Sequence, residues 1–416
     1  MIINAPVGGT PGKDCGGFCR FCYFRSVDFN NLSSYSLGCK FCPPNHIGCD
    51  YCEGLTNDIL HGYKPLSQVI SKLKEILNWY EFLGSLNYRE DKILTCSCAD
   101  AINYPQMTDL VSILNDWGFQ VHLGYTSGKS INDVDMIAHL ISLGLNEINF
   151  SAFSINPELR RYWMGDKSPE KSLEALKLLC ESIDVNASTV VIPGVIDDDE
   201  IRNTCNMLED WGVKTFILSR FVNFKHQGLI FSNRPIIKDC KTQTYQDFVE
   251  LVKTISDEFP FKVVGTPFTD PDTRGAPYML SKPENKEYLS YLPEITSNAT
   301  IITSKLSLIP LKYIFKNIAP DNVNVVAVEK EVGDLITHND LETVDLSDLQ
   351  DKIIIPGGSL VHEKTAFETF NRDGKNRKVL RGPSQLFYLD IEGVDLKDVL
   401  EFELKNFKKL IDVINQ

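Results

Sequence analysis

Long apolar runs are missing from this 416-residue chain, and no stretch approaches the length needed to span a bilayer. The opening Met-Ile-Ile-Asn-Ala-Pro has neither a basic n-region nor a long apolar h-region, which predicts no secretory signal and a cytoplasmic location. Positive charge is in deficit. The 42 Lys and Arg stand against 56 Asp and Glu, a formal net charge of −14, which argues against a nucleic-acid partner and serves solubility. Cysteine is sparse, and twelve in 416 residues are too few for a disulfide scaffold. Low-complexity tracts and repeats at a fixed period are absent. What remains is a globular composition, 43% hydrophobic, in a chain long enough for two domains.

The few cysteines are clustered. Near the start they read Cys15-x3-Cys19-x2-Cys22. In a cytosolic chain, clustered cysteines point to metal rather than to disulfides. Structural zinc sites usually pair two C-x2-C knuckles, so this spacing is atypical for zinc. Three thiolates this close suit three corners of a [4Fe–4S] cluster, leaving one iron open to bind a small molecule. A second group reads Cys39-x2-Cys42 and Cys49-x2-Cys52. Two such knuckles give a tetrahedral S4 site, and spacing does not choose between zinc and iron. This ion either staples a turn-rich loop, serves as a redox-active iron, or belongs to a second [4Fe–4S] cluster.

Downstream of the cysteines, helical and strand patterns alternate. Helices are expected at Leu66–Leu83, Pro105–Trp117, Asn132–Leu143, Ser168–Ser182, Asp197–Trp211 and Tyr245–Phe259. Strands are expected at Lys92–Cys98, Phe119–Tyr125, Glu147–Phe153, Asp184–Ile192, Lys214–Phe221 and Phe261–Gly265. Such alternation implies a parallel sheet with helical crossovers, whose functional residues collect at the C-terminal ends of the strands. Those ends carry Asp100 after Cys96-Ser-Cys98-Ala, Tyr125, Ser127 and Lys129 in Leu-Gly-Tyr-Thr-Ser-Gly-Lys, and Asn149 and Ser151. Tyr125, Asn149 and Ser151 are also ordinary packing positions. Near residue 290 the pattern changes, with Pro283, Pro293 and Ser297 marking a linker. Short apolar runs then begin at Ala299, Val323, Lys352 and Gln385, suggesting a compact α+β domain.

Cys15-x3-Cys19-x-Phe21-Cys22, with an aromatic residue before the last cysteine, resembles the signature of radical S-adenosylmethionine (SAM) enzymes. The resemblance implies a partial TIM-like α/β barrel over residues 1–285, including the four-cysteine metal loop at 36–55. It implies that the open iron chelates SAM, that reduction cleaves SAM to a 5′-deoxyadenosyl radical, and that Phe21, with Tyr23 beside it, lies in the cofactor site. The Gly-Gly-Glu that usually contacts the SAM amino group is missing, and Asp100 is the acidic substitute. Ser127, Lys129, Asn149 and Ser151 are placed as further SAM contacts. The run Glu158–Asp166 resembles a family segment without itself suggesting chemistry.

Nearly end to end, the chain also resembles the methanogenesis marker protein 10 family, archaeal methyltransferases acting on an arginine of the methyl-coenzyme M reductase alpha subunit. The two cysteine clusters, Leu-Gly-Tyr-Thr-Ser-Gly-Lys, Gly333-Asp-Leu335-Ile-Thr, Asn339-Asp-Leu and Ile355-Pro-Gly-Gly-Ser carry that likeness. It implies that Tyr125 ligates the open iron when SAM is absent. It also implies a cobalamin bound by the domain at 295–416, with Leu335 over its lower face, although the Asp-x-His-x-x-Gly signature of the common cobalamin domain is missing. The expected partners are the reductase alpha subunit and an electron donor, with no membrane; a homodimer is compatible with the sequence.

Overall fold

A computed structural model describes residues 2–27, 61–84, 86–88, 90–223, 235–266, 278–333, 336–386 and 396–416. They fall into two compact units, one within 2–27, 61–222 and 236–266, the other chiefly within 278–416.

The first unit is built on a seven-stranded sheet: β1 (Ile2–Gly8), β2 (Lys92–Ser97), β3 (Gln120–Thr126), β4 (Leu145–Ser151), β5 (Asp184–Val191), β6 (Thr215–Arg220) and β7 (Lys262–Thr266). Every neighbouring pair is parallel, and spatial order equals chain order. Each crossover carries a helix of eight or more residues among the described residues: α1 (Leu66–Phe82), α2 (Met107–Asp116), α3 (Asp135–Ser142), α4 (Pro169–Ser182), α5 (Asp198–Trp211) and α6 (Tyr245–Glu258). All crossovers therefore step the same way, as in the wall of a barrel. Among the described residues β1 and β7 do not pair.

Helix α5 shows how local sequence sets these elements. Asp197 accepts a hydrogen bond from the Glu200 backbone N–H at 3.0 Å, capping the helix. Asp198, Asp199 and Glu200 place negative charge in the first turn, where the helix dipole favours it. Ile201, Thr204, Cys205 and Leu208 follow at helical spacing, and all are buried. Gly212, at φ 83, ends the helix in the left-handed conformation a side chain would resist.

The strands and helices after residue 60 follow the alternation expected from the sequence, within a few residues at their ends. β1 was not expected. Pro6 within it removes a ladder donor, which argues against a central strand. Among the described residues the strand pairs with β2 along one side and makes only an isolated bridge from Gly8 to Tyr63 otherwise, so Pro6 sits in an edge strand of the sheet, where proline is tolerated. Ile3, Ala5 and Val7 alternate into the core.

The second unit differs from the expected α+β arrangement. Its strands, β8 (Ala299–Thr303), β9 (Val323–Ala327), β10 (Lys352–Ile355) and β11 (Lys378–Arg381), form one parallel sheet in the order β11-β10-β8-β9. Helices α7 (Lys305–Ile318), α8 (His338–Glu342), α9 (Glu363–Phe370) and α10 (Leu396–Asn415) accompany it. Strands buried on both faces favour parallel pairing, and all five residues of β8 are buried. The unit is therefore α/β. The expected strand beginning at Gln385 lies chiefly outside the described residues, and β11 precedes it. The proline-marked segment Pro283–Tyr291 is a 3-10 helix. Just before it, the Met279 and Leu280 backbone N–H groups both donate to buried Glu403 of α10 at 2.9 Å.

Candidate active site

The cysteine motif fills the loop leaving β1 at the C-terminal edge of the sheet. Two glycines make its turns feasible. Gly12 has φ +79, and a Cβ there would lie 2.3 Å from the Phe18 ring. Gly17 has φ +114 and donates its N–H to the Gly12 carbonyl at 2.8 Å. Side chains anchor the loop from outside. The Tyr63 hydroxyl is directed at the Asp14 and Asp100 carbonyls, at 3.1 and 2.6 Å, and the Asn103 amide donates to the Asp14 carbonyl at 2.9 Å. Arg20 donates its backbone N–H to the Trp163 carbonyl at 2.8 Å and its Nε to the Tyr162 carbonyl at 2.9 Å.

Burial pushes the Cys15 and Cys22 thiols up to about 11 and raises Cys19 as well. Metal binding must strip protons that the apo site holds firmly. The thiols perturb one another, Cys22 raising Cys15 and Cys19 raising Cys22. Three thiols in mutual electrostatic range fit a polynuclear cluster that takes one sulfur per iron.

Three neighbouring strand ends face this loop. After β2, Asp100 is fully buried and Ser127 donates its hydroxyl to Asp100 Oδ2. Burial lifts the carboxyl to about 6 against the pull of the Ser127 hydrogen bonds and the Lys129 charge. Oδ1 makes no well-formed hydrogen bond among the described residues, although the Ile102 backbone N–H also pulls on the carboxyl. A buried carboxylate oxygen left unpaired is costly, and an ammonium such as that of SAM would satisfy it. Tyr125 ends β3 with 44% of its surface exposed. Although much of the ring is exposed, desolvation at the hydroxyl, then the nearby Cys19, Asp100, Cys15 and Cys22, raise the phenol well above the ordinary value. The same groups put Tyr125 within electrostatic range of the thiols.

Lys129 is turned toward the cysteine loop. Its Nζ donates to the Gly17 carbonyl at 2.6 Å and to Cys19 Sγ at 3.5 Å. Phe21 is buried and stacks on Phe153, with ring centroids 4.9 Å apart at 16°. Phe153 holds φ 58, sparsely populated for a residue with a side chain, and its backbone N–H donates to the Ser188 carbonyl at 2.9 Å. Tyr23 stacks on Phe221, and its hydroxyl accepts from the Val222 N–H at 3.0 Å.

Not every expected contact joins this group. The Asn149 Oδ1 accepts from the Asn186 amide at 3.1 Å and lies 3.0 Å from His122 Nε2. It thereby joins a polar network that includes Glu147, nearer the N-terminal ends of the strands. Ser151 is buried, and it is its carbonyl that is engaged. Cys39, Cys42, Cys49, Cys52 and Leu335 lie outside the described residues.

Sequence reasoning missed Arg160, the residue that knits the strand ends together. It is fully buried in a π-helical turn, Arg160–Met164, a feature frequent at functional sites. Its guanidinium donates to the Ser127 and Ser151 carbonyls, both at 2.9 Å, and to the Ala152 carbonyl. Asp166 balances the charge at 3.0 Å. The Glu158–Asp166 run thus holds the ends of β3 and β4, and it docks the cysteine loop through Arg20. The only signal was the likeness of that run to a family segment, which carried no role.

The model of the Radical SAM superfamily matches residues 10–208. A Methanocaldococcus jannaschii protein named as a glycyl-radical enzyme activating enzyme is 26% identical over 187 residues, 44% of this chain and 64% of that protein. Among solved structures, Streptococcus suis SuiB is 11% identical, covers 70% of this chain and 53% of its own, and superposes with a TM-score of 0.43. A radical SAM methyltransferase from Sphaerobacter thermophilus is 12% identical, covers 64% of this chain and 66% of its own, with a TM-score of 0.39. Less than two thirds of the curated relative and of SuiB is matched. The match over residues 10–208 takes in the cysteine motif and the strand ends facing it, so just under half of this chain is similar to the Radical SAM superfamily.

Proposed function

We propose that this chain is a cobalamin-dependent radical SAM C-methyltransferase that places a methyl group on the δ-carbon of an arginine in the methyl-coenzyme M reductase alpha subunit. The observation that carries the SAM chemistry is the Oδ1 of buried Asp100, without a well-formed hydrogen bond among the described residues, at the strand end beside the cysteine loop. The arginine substrate rests on the family resemblance, chiefly the two cysteine groups and the Leu-Gly-Tyr-Thr-Ser-Gly-Lys loop. An sp3 carbon with no activating group does not attack a methyl sulfonium as a nucleophile, so a radical route is required.

When bound, the cluster and SAM supply the hydrogen-abstracting radical, and cobalamin supplies the methyl group. Cys15, Cys19 and Cys22 would hold three irons. Asp100, oriented by Ser127, would take the SAM ammonium. Phe21, backed on one side by Phe153, would offer its other face to adenine. Tyr125 would shield the open iron before SAM arrives.

The second unit supports the cobalamin reading in part. Its sheet order reverses beside β8, and a cleft opens at the carboxyl ends of β8 and β10, where doubly wound sheets bind ligands. Thr303, Ser307, Gly357, Gly382 and Ser384 line it, and it encloses about 580 Å³ with open solvent included. Most of that figure is open solvent, so the cleft could take at most one end of a cobalamin and not the corrin.

The test is anaerobic incubation of the reconstituted full chain with reductant, SAM, cobalamin and an arginine peptide from the reductase. The expected result is a mass gain of one methyl on carbon. SAM cleavage without that gain sinks the substrate assignment. The curated relative's name favours a second reading, a cobalamin-free enzyme abstracting hydrogen from a protein glycine. A glycine-centred radical signal on a partner protein, with no methyl gain, would favour it.

A further inference from the structure

We propose that Lys129 tunes the reduction potential of the cluster held by Cys15, Cys19 and Cys22, making its one-electron reduction easier. The inference rests on the radical SAM reading. Lys129 is only 5% exposed, and lysines are almost never buried without a partner. Its ammonium donates to the Gly17 carbonyl at 2.6 Å and to Cys19 Sγ at 3.5 Å. No carboxylate forms an ion pair with it among the described residues. Arg160 also acts on Cys19, but its charge is balanced by Asp166 at 3.0 Å. Among the described residues the Lys129 charge acts on the Asp100 carboxyl but forms no ion pair with it.

A buried ammonium facing a carbonyl and a thiol is incompletely compensated. The same ammonium facing a cluster thiolate is matched. The fold therefore holds a positive charge where the bound cluster brings a negative one. Reduction adds one electron to the cluster, [4Fe–4S]2+ going to [4Fe–4S]+, from a low-potential one-electron donor. The added negative charge falls beside Lys129 and is stabilised by it. Hydrogen bonds and nearby charge are the levers by which a protein sets such potentials. Lys129 is thus a positioning and tuning residue and takes no part in breaking bonds.

The experiment is an EPR-monitored redox titration of the reconstituted full chain without SAM, with dithionite as the reductant and iron content measured in parallel. Lys129→Gln keeps a hydrogen-bonding side chain but removes the charge. Its ratio of reduced to oxidised cluster at a fixed potential is expected to fall at least tenfold, a shift of 59 mV or more to lower potential for one electron. Lys129→Arg should restore most of the shift. An unchanged potential in Lys129→Gln with full iron content overturns the inference, even if SAM binding is weakened. Failure of that variant to load a cluster where wild type loads also overturns it, by assigning Lys129 to assembly. A wild-type chain that yields no [4Fe–4S] signal would instead defeat the radical SAM reading itself.

Discussion

At the N-terminal ends of the strands, Glu147 accepts from Lys92 at 2.6 Å, from Asn186 at 2.8 Å and from Lys214 at 3.2 Å. At the C-terminal ends of the same sheet, among the described residues, Asp100 keeps one buried oxygen without a well-formed hydrogen bond, and Lys129 faces a thiol with no carboxylate in ion-pair contact. Burial acts on both carboxyls and the outcomes are opposite. It would lift Glu147, but Lys92, His122, Asn186 and Lys214 hold that carboxyl at about 2. Asp100 rises to about 6 because its partners do not outweigh burial. One end of the sheet closes its electrostatics internally and so adds stability. The other leaves charge to be completed by something that binds, which costs stability in the apo protein. In barrels of this kind the carboxyl end is where chemistry is found.

That contrast breaks most visibly at the cysteines. Cys15→Ala should reduce bound iron and SAM cleavage to background, yet leave the urea midpoint of the apo chain near that of wild type. A large loss of apo stability would show that the loop serves the fold and not the cluster.

Arg160 sharpens the contrast, because it stands at the mouth but is fully paired. Arg160→Met strands Asp166 and three carbonyls in a dry site and should cost about 3–5 kcal/mol in urea unfolding. A cost under about 1 kcal/mol would mean that the guanidinium is not the knot joining β3 and β4.

The N-terminal end should answer to pH in the opposite sense from the mouth. The Glu147 carboxyl is depressed from 4.5 to about 2, so its stabilisation is present above pH 4.5 and fades as pH falls toward 2. A shift of that size corresponds to about 3 kcal/mol, and Glu147→Gln should remove it without changing iron content. Asp100 is raised from 3.8 to about 6, so stability is retained below pH 3.8 and lost as pH rises through 6. Asp100→Asn should flatten that slope. Unfolding curves between pH 3 and 7 separate the two; parallel slopes in both variants would erase the distinction.

The smallest effect concerns affinity. Loss of one charge-assisted hydrogen bond in Asp100→Asn should weaken SAM binding to the loaded protein by roughly tenfold. Wild-type affinity should fall as pH drops below 6, where the carboxyl takes up a proton. Calorimetry showing equal affinity in both proteins would remove Asp100 from the site.

Much of this was legible in the sequence, for identifiable reasons. The cysteine spacing carries its own chemistry, and the alternation from residue 92 to 265 reports burial directly. Asp100 was readable as an acid at a strand end, although its orphaned oxygen was not, since that depends on the direction Ser127 takes. β1 was hidden by Pro6, because an edge position is a property of the assembled sheet. The directions of the short strands in the second unit are set by crossovers that a local pattern does not record. Arg160 and Tyr63 act on carbonyls far along the chain, and no local spacing signals such contacts. Lys129 was read as a SAM contact because it shares a loop with Tyr125 and Ser127, and only the geometry shows it turned toward Cys19.

The most direct test of the account is SAM cleavage by the reconstituted, reduced full chain, read as 5′-deoxyadenosine. The account predicts that wild type forms it, that Cys15→Ala forms none, and that Glu147→Gln forms it at the wild-type rate under conditions where it is folded. A fully loaded and reduced wild-type protein that binds SAM yet forms no 5′-deoxyadenosine would contradict it.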